Sequence, residues 1–224
     1  MPEKLRLGVL LSGSGTTMQN ILDLISSGRI DAEVSVVVSS REDAYGLCRA
    51  RQADIPAFTV SRKQYRDVEE HSRAITGVLD RHRPDLVLFA GYMLLYRVPL
   101  HLEGRIMNIH PALIPAFSGK GMYGHFVHEA VVASGVRVTG CTVHFVDNKY
   151  DNGPIILQRV VPVEFSDTAE ALAERVQAEE RVAYPEAIRL FAEGRLAVRM
   201  GKVEVLPGAW HPTSLCGVRT AQHG

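Results

Sequence analysis

Apolar runs and amphipathic segments alternate along the first half of the chain. Short apolar runs predict strands over 5–11, 32–39, 57–60 and 86–90. Between these runs, apolar positions recur at helical spacing and predict helices over 16–27, 42–52 and 62–82. Strands that alternate with helices pair in parallel through right-handed crossovers. The pattern therefore predicts a Rossmann-like half, in which ligands bind beyond the carboxyl ends of the strands.

The second half of the chain contains more strands and fewer helices. Its pattern predicts strands over 105–109, 137–146 and 155–163, a short helix near 125–134 and a hairpin within 196–205. Asp167 and Glu170 predict the cap of a helix that extends to about residue 193, and Pro185 should kink or break this helix. We therefore predict one α/β domain over 1–206. Its mostly parallel sheet is flanked by helices, with a C-terminal helix, a small hairpin and an irregular tail over 207–224.

Composition and charge narrow the class of protein. The 224 residues include 25 basic and 25 acidic side chains, so the balance indicates no general nucleic-acid or membrane surface. Cys48, Cys141 and Cys216 are an odd, widely spaced set, which is typical of a reducing compartment without a disulfide framework. No apolar run is long enough to span a bilayer, and the first run predicts a strand rather than a signal peptide. We expect a cytoplasmic protein with no nucleic-acid or membrane partner.

The candidate chemistry lies in Asn108-Ile-His-Pro and in a later Asp151-Asn-Gly-Pro. Asn108 and His110 are two positions apart in a predicted strand, so their side chains project on the same side. An amide donor beside an imidazole suits a carbonyl carbon under attack, because the two groups can stabilise an oxyanion and move protons. Asp151 could orient the imidazole or favour its charged form. The alternative is a strand end whose polar side chains only satisfy loop carbonyls.

A glycine loop, Ser12-Gly-Ser-Gly-Thr-Thr17, joins the first predicted strand to the first predicted helix. Glycines allow close approach, and the free amides at a helix start attract anions. Met18 stands where the third glycine of the dinucleotide fingerprint is expected. Arg41, just past the second strand, could nevertheless meet a 2′-phosphate, so an NADP-dependent oxidoreductase remains a rival. An ordinary strand–helix turn and a non-catalytic phosphate-binding module are the simpler alternatives.

Three segments, 108–117, 140–146 and 151–158, resemble the folate-dependent formyltransferases when taken in this order. The glycine loop and the Gly-Cys-Thr-Val-His-Phe-Val run resemble the phosphoribosylglycinamide branch, and the resemblance extends from about residue 5 to about residue 200. It implies the formyltransferase fold and transfer of a formyl group from 10-formyltetrahydrofolate to the amine of glycinamide ribonucleotide in purine synthesis. It implies no metal. Formyltetrahydrofolate deformylase is the alternative activity, although that enzyme usually carries an added N-terminal domain. Methionyl-transfer-RNA formyltransferase carries an added C-terminal domain and a basic surface, which we do not expect here.

The resemblance also implies roles for individual residues. Asn108 and protonated His110 would stabilise the oxyanion of a tetrahedral intermediate. Asp151 would raise the imidazole pKa from about 6.5 and relay protons through water. The implied nucleotide-binding residues are Ser14, Gly15, Thr16, Thr17, Gln177 and Glu180. The implied folate-binding residues are Arg62, Tyr92, Met93, Leu94, Leu95, Tyr96, Val146, Asp147, Asn148 and Tyr150. We predict that the N-terminal half of the domain forms the phosphate and nucleotide side, and that the C-terminal half forms the catalytic and folate side.

The chain departs from many relatives at two places. Relatives often have an arginine at the position of Leu94 that meets the glutamate tail of the folate, so Arg62 and Arg97 are candidate substitutes. The loop over 118–128 is longer than in many relatives, and its Lys120, Tyr123 and His125 could reach substrate or form a lid. His125, His128 and Glu129 lack the spacing of metal ligands. We expect a monomer or a homodimer.

Overall fold

A computed structural model describes residues 4–208. Its main sheet has seven strands: β1 Leu5–Leu11, β2 Ala32–Ser39, β3 Ala57–Thr59, β4 Leu86–Phe89, β5 Ile106–His110, β6 Val138–Phe145 and β7 Ile155–Pro162. Their order across the sheet is β3-β2-β1-β4-β5-β6-β7. The first five strands pair in parallel, whereas β6 pairs antiparallel with both β5 and β7. The predicted α/β class and mostly parallel sheet are confirmed.

Five helices flank this sheet. They are α1 Thr16–Ser26, α2 Tyr45–Gln52, α3 Val68–His82, α4 His125–Ser134 and α5 Ala169–Ala192. The predicted hairpin is present as β8 Leu196–Arg199 and β9 Lys202–Val205. Within residues 4–208, no helix is both long enough and apolar enough to cross a membrane. Most of the predicted tail, like Cys216, lies outside the described residues.

Two predicted helices begin later than expected. The helix predicted over 62–82 is wrong at its start, because Arg62–Gln64 forms a separate 3-10 turn and α3 begins only at Val68. Asp67 sets this boundary, since its carboxylate accepts a hydrogen bond from the Glu70 amide at 2.8 Å. Similarly, α2 begins at Tyr45 rather than at residue 42.

Helix α5 differs from the prediction at its cap, and Pro185 does not break it. Thr168, not Asp167, is the cap, because the Thr168 hydroxyl accepts from the Ala171 amide at 3.2 Å. Pro185 does not end the helix, which continues to Ala192. Proline leaves the carbonyl four residues earlier without its helical donor. Here that carbonyl, on Arg181, accepts from the Asn20 side chain at 3.3 Å, so α1 supplies the missing bond.

The strand order creates a switch point between β1 and β4. The chain runs outward from β1 to β2 and β3, and then returns to place β4 on the other side of β1. Connections on the two sides of such a point diverge, which leaves a crevice at the carboxyl ends of the strands. Helix α5 is fixed to this edge by Tyr184, whose buried hydroxyl lies 3.1 Å from the Phe89 carbonyl and 2.8 Å from the Met107 carbonyl.

Candidate active site

A cleft of about 540 Å³, here called the main cleft, opens at the switch point. Its walls come from the glycine loop, the end of β4, the end of β5 and the loop that follows β5. The lining includes Gly13–Thr17, 90–94, 108–111, 119–124, Tyr150 and Asp151. The predicted catalytic residues and most of the glycine loop therefore share one cavity, although they are far apart in the sequence.

Asn108, His110 and Asp151 form one cluster at the end of β5. The Asn108 amide nitrogen donates to Asp151 Oδ1 at 3.3 Å, and His110 Nδ1 lies 3.6 Å from Asp151 Oδ2. The His110 side chain is 3% exposed and the Asp151 side chain 12%, so water screens the pair weakly. The expected projection of Asn108 and His110 to the same side brings both within reach of one carboxylate.

The loop after β5 fixes the other atoms of this cluster. His110 Nε2 donates to the Phe117 carbonyl at 2.8 Å, which leaves Nδ1 as the nitrogen that faces Asp151. The Gly119 amide donates to Asp151 Oδ2 at 2.9 Å. Asp151 itself has a φ of 46°, a left-handed conformation that aspartate adopts more readily than most residues. The loop and the strand thus hold the carboxylate between them.

His144 is a member of the cluster that the sequence did not reveal. It lies opposite Asn108 in the β5–β6 register, and the Asn108 amide nitrogen donates to His144 Nε2 at 3.1 Å. His144 Nδ1 donates to the Phe145 carbonyl at 2.8 Å, so Nε2 is left as an acceptor. Burial lowers the pKa of His144, which favours this neutral form. His144 therefore fixes the orientation of the Asn108 amide.

The glycine loop leads into α1 and packs against α2. Gly15 has a φ of 72° and immediately precedes α1, and the first two residues of this helix, Thr16 and Thr17, line the main cleft. A Cβ atom on Gly15 would lie 2.7 Å from the Gly46 Cα atom in α2. Glycine is thus required at position 15 both by its backbone conformation and by this close approach. The unpaired amides at the start of α1 are suited to bind an anion.

Gln177 and Glu180, which the resemblance implies as nucleotide-binding residues, lie beside this loop. A small pocket adjoining the glycine loop is lined by Thr16, Thr17, Asn20, Gln177, Glu180 and Arg181. Gln177 is exposed, whereas Glu180 is half-buried. Burial raises the pKa of Glu180 to about 7.

Most of the implied folate-binding residues meet in a second cavity behind the cluster, here called the rear pocket. Of that set, it is lined by Tyr92, Leu94, Leu95, Tyr96, Val146, Asp147 and Tyr150, and it also touches Asn108, His144 and Asp151. Its volume is about 40 Å³. The Tyr92 hydroxyl is buried and has no hydrogen-bond partner among residues 4–208. Burial also raises the pKa of Tyr92, so this hydroxyl keeps its proton.

Three residues implied on the folate side lie elsewhere or make other contacts. Met93 lines the main cleft rather than the rear pocket. The Arg62 guanidinium donates to the Tyr65 and Arg66 carbonyls. The Asn148 side chain accepts from the Val98 amide at 2.9 Å. Arg97 is the other candidate to replace the arginine that relatives often have at the position of Leu94. It pairs with Glu69 at 3.0 Å.

The longer loop contributes to the main cleft. Residues 119–124, which include Lys120 and Tyr123, line it. His125 instead starts α4 and lies 3.2 Å from Glu129 and 3.5 Å from Glu170. Over the described range 4–208, no group of three histidine, cysteine, aspartate or glutamate side chains is arranged to hold a metal ion. Arg41, which the sequence suggested as a contact for a 2′-phosphate, pairs with Asp43 at 2.6 Å.

Comparison with known proteins identifies the family and the solved structures that this chain resembles. The family model described as formyl transferase matches residues 5–188. Phosphoribosylglycinamide formyltransferase from Haemophilus influenzae is 38% identical over 196 residues, covering 87% of this chain and 90% of that protein. The crystal structure of glycinamide ribonucleotide transformylase 1 from Symbiobacterium toebii has a TM-score of 0.85 and 47% identity, covering 92% of this chain and 96% of that one.

A further relative is much longer than this chain. The trifunctional purine biosynthetic protein adenosine-3 of Gallus gallus is 40% identical over 201 residues, which are 89% of this chain. The match spans only 19% of that protein's length. The family model covers most of the chain, and the Haemophilus influenzae enzyme matches over 90% of its own length. The chain therefore belongs to the formyl transferase family, together with the phosphoribosylglycinamide formyltransferases.

Proposed function

We propose that the protein transfers the formyl group of 10-formyltetrahydrofolate to the amine of glycinamide ribonucleotide. The observation that carries this proposal is the shared cavity: the glycine loop and the Asn108–His110–Asp151 cluster line the same cleft. A phosphorylated substrate held by the loop presents its other end toward the cluster. Binding the two reactants side by side supplies much of the acceleration through orientation alone.

The two substrates bind on different sides of the cluster. The nucleotide phosphate binds the glycine loop, and its ribose reaches Gln177 and Glu180 beside Thr16. The folate heterocycle enters behind Asn108, where Tyr92 and Leu95 line the rear pocket. The rear pocket, at about 40 Å³, is smaller than the roughly 300 Å³ or more that pockets for small organic ligands generally have, so binding of the heterocycle requires this pocket to widen. Asn108 lines both cavities, so the formyl carbon belongs next to its side chain.

In the reaction, the substrate amine attacks the formyl carbon and produces a tetrahedral intermediate with an oxyanion. Asn108 donates to this oxygen through its amide nitrogen, which His144 holds in orientation at 3.1 Å. His110 in its charged form can donate from both nitrogens. Its Nε2 therefore keeps the hydrogen bond to the Phe117 carbonyl, while its Nδ1 donates to the oxyanion. Asp151 accepts the proton from the attacking nitrogen, directly or through water, and passes it to the folate nitrogen that leaves.

In the free protein, Asp151 accepts a hydrogen bond from the Asn108 amide, the group that we propose as the oxyanion donor. Both hydrogens of the Asn108 amide are engaged, one with His144 Nε2 and one with Asp151 Oδ1. The second bond is long, at 3.3 Å, and is therefore the weaker of the two. We infer that the formyl oxygen replaces Asp151 Oδ1 on Asn108, while the Gly119 amide keeps the other carboxylate oxygen at 2.9 Å.

The activity is tested by mixing the protein with a 10-formyl folate and following the deformylated folate by absorbance, with and without glycinamide ribonucleotide. The proposal predicts turnover only when the nucleotide is present. Turnover without nucleotide would instead identify a deformylase. Absence of turnover in both mixtures would refute the proposal.

The assignment of Asp151 is tested by Asp151→Asn. We expect kcat to fall by about 10²–10³-fold, since a group that moves protons is replaced by one that does not, with little change in nucleotide affinity. Asp31→Asn, which removes an exposed carboxylate outside the cleft, is the control and should keep full activity. A kcat within about threefold of the unmodified protein in Asp151→Asn would contradict the proton-relay role.

A further inference from the structure

Arg49 lies directly against the glycine loop, although the main cleft does not include it. It projects from the last turn of α2, and its Nε donates to the Ser14 carbonyl at 3.0 Å. Its Nη1 donates to the Gln19 side-chain oxygen in α1 at 3.1 Å. The guanidinium also lies 5.0 Å from the centre of the Tyr45 ring, which limits its freedom. Arg49 thus joins the loop, α1 and α2.

The bond to Ser14 orients one peptide group of the loop. The carbonyl and the N–H of a trans peptide point in opposite directions. Because the Ser14 carbonyl faces Arg49, the Gly15 N–H of the same peptide faces away from it. Gly15 itself lines the main cleft. A bond on the far side of the loop therefore presents a donor to an anion.

Arg49 also supplies charge that the loop lacks. The side chains of residues 12–17 are all uncharged, and the first turn of α1 contains no acidic residue. A helix start contributes only about half a unit of positive charge, whereas a phosphate monoester carries between one and two negative charges at neutral pH. Both acceptors of Arg49 are neutral groups, so these bonds leave its full positive charge beside the loop.

We infer that Arg49 is a positioning residue for the substrate phosphate, acting through the Ser14–Gly15 peptide and through its uncompensated charge. Its role rests on the proposed function for the identity of the substrate, but the phosphate group can be tested alone. Arginine suits this position better than lysine, because its planar fork reaches two acceptors on different segments at once.

The test compares Arg49→Gln and Arg49→Lys with Arg51→Gln, which removes an exposed positive charge two positions further along α2. Calorimetry with inorganic phosphate measures anion affinity directly, and steady-state kinetics measures KM for the nucleotide, KM for the folate and kcat. For Arg49→Gln we expect the phosphate affinity to fall about tenfold and the nucleotide KM to rise by the same factor. We expect kcat and the folate KM to stay within about twofold.

Salt dependence separates charge from simple loss of structure. The nucleotide KM should become less sensitive to ionic strength in Arg49→Gln, whereas Arg49→Lys should keep that sensitivity with an intermediate KM. Arg51→Gln should match the unmodified protein. A folded Arg49→Gln variant with unchanged phosphate affinity would overturn the inference, as would equal losses for both substrates. Phosphate binding could weaken as expected while neither the unmodified protein nor any variant turns over the nucleotide. In that case the inference about Arg49 holds and the proposed function fails.

Discussion

Two buried tyrosines follow β4, and only one of them has a hydrogen-bond partner for its hydroxyl among residues 4–208. The Tyr96 hydroxyl lies 2.6 Å from the Thr76 hydroxyl, whereas the Tyr92 hydroxyl has no partner among residues 4–208. A buried polar group without a partner costs about 1–3 kcal/mol. We therefore expect Tyr92→Phe to leave the free energy of unfolding unchanged or to raise it by up to about 1 kcal/mol, and Tyr96→Phe to lower it by about 1 kcal/mol. Urea unfolding of the free protein measures both. The reverse ranking would show that the Tyr92 hydroxyl is satisfied.

Glu180 is expected to make stability depend on pH. Its pKa is raised from 4.5 to about 7 by burial, so between these values the folded protein holds a proton that the unfolded chain has released. The contribution of this group to stability is complete below about pH 4.5 and is lost as pH rises through about 7. Glu180→Gln should therefore gain stability relative to the unmodified protein between pH 5 and 8, by roughly 1–3 kcal/mol.

The exposed Glu174 on the same helix provides the control for this comparison. Glu174→Gln removes one negative charge from α5 without altering a buried group, so it should not reproduce the gain. Urea unfolding of the three proteins at pH 5 and pH 8 gives the difference directly. A gain that is the same at both pH values would contradict the raised pKa of Glu180.

Some of these residues could be predicted from the sequence and others could not, for a physical reason. Asn108 and His110 could be predicted to act together because the geometry of an extended strand is local. His144 and Arg49 could not, since their contacts depend on the β5–β6 register and on the packing of α2 beneath the loop. Neither relation has a signature in a single sequence.

At the scale of elements, the junction of β1 and α1 depends on one glycine more than on the other. Gly15 has a φ of 72° and would bring a Cβ atom within 2.7 Å of Gly46, whereas a Cβ atom on Gly13 would meet nothing within 4 Å. We expect Gly15→Ala to lower the free energy of unfolding by about 2–3 kcal/mol and to weaken phosphate binding strongly. Gly13→Ala, the matched control, should change stability by less than about 1 kcal/mol. Thermal unfolding and phosphate titration measure these effects, and equal costs at the two positions would contradict the packing argument.

The elements themselves were predictable, but several of their ends were not. Every strand of the main sheet was expected from its apolar run, whereas α2, α3 and α5 differ at their starts. Periodicity reports which face of a segment is buried, and hydrogen bonds such as those of Asp67 and Thr168 decide where a helix begins. The continuity of α5 through Pro185 depends on Asn20, a residue of another helix.

At the scale of the whole molecule, the sheet order brings the functional residues together. The glycine loop follows β1, the end of β4 precedes Tyr92, and Asn108 and His110 end β5, so adjacent strands bring these segments to one edge. The alternation of strands and helices predicted a crevice at that edge. The antiparallel addition of β6 brings His144 beside Asn108, and the loop between β6 and β7 brings Asp151 to the same place.

The most direct test of the account is a single-turnover experiment with 10-formyl folate labelled with ¹³C in the formyl group. The protein is mixed in excess with this donor and glycinamide ribonucleotide, and the products are separated by mass spectrometry. We predict that the label moves to the nucleotide as a new amide, at a rate that Asp151→Asn reduces by about 10²-fold or more. Recovery of the label as free formate, or a nucleotide that stays unlabelled while the donor is consumed, would contradict it.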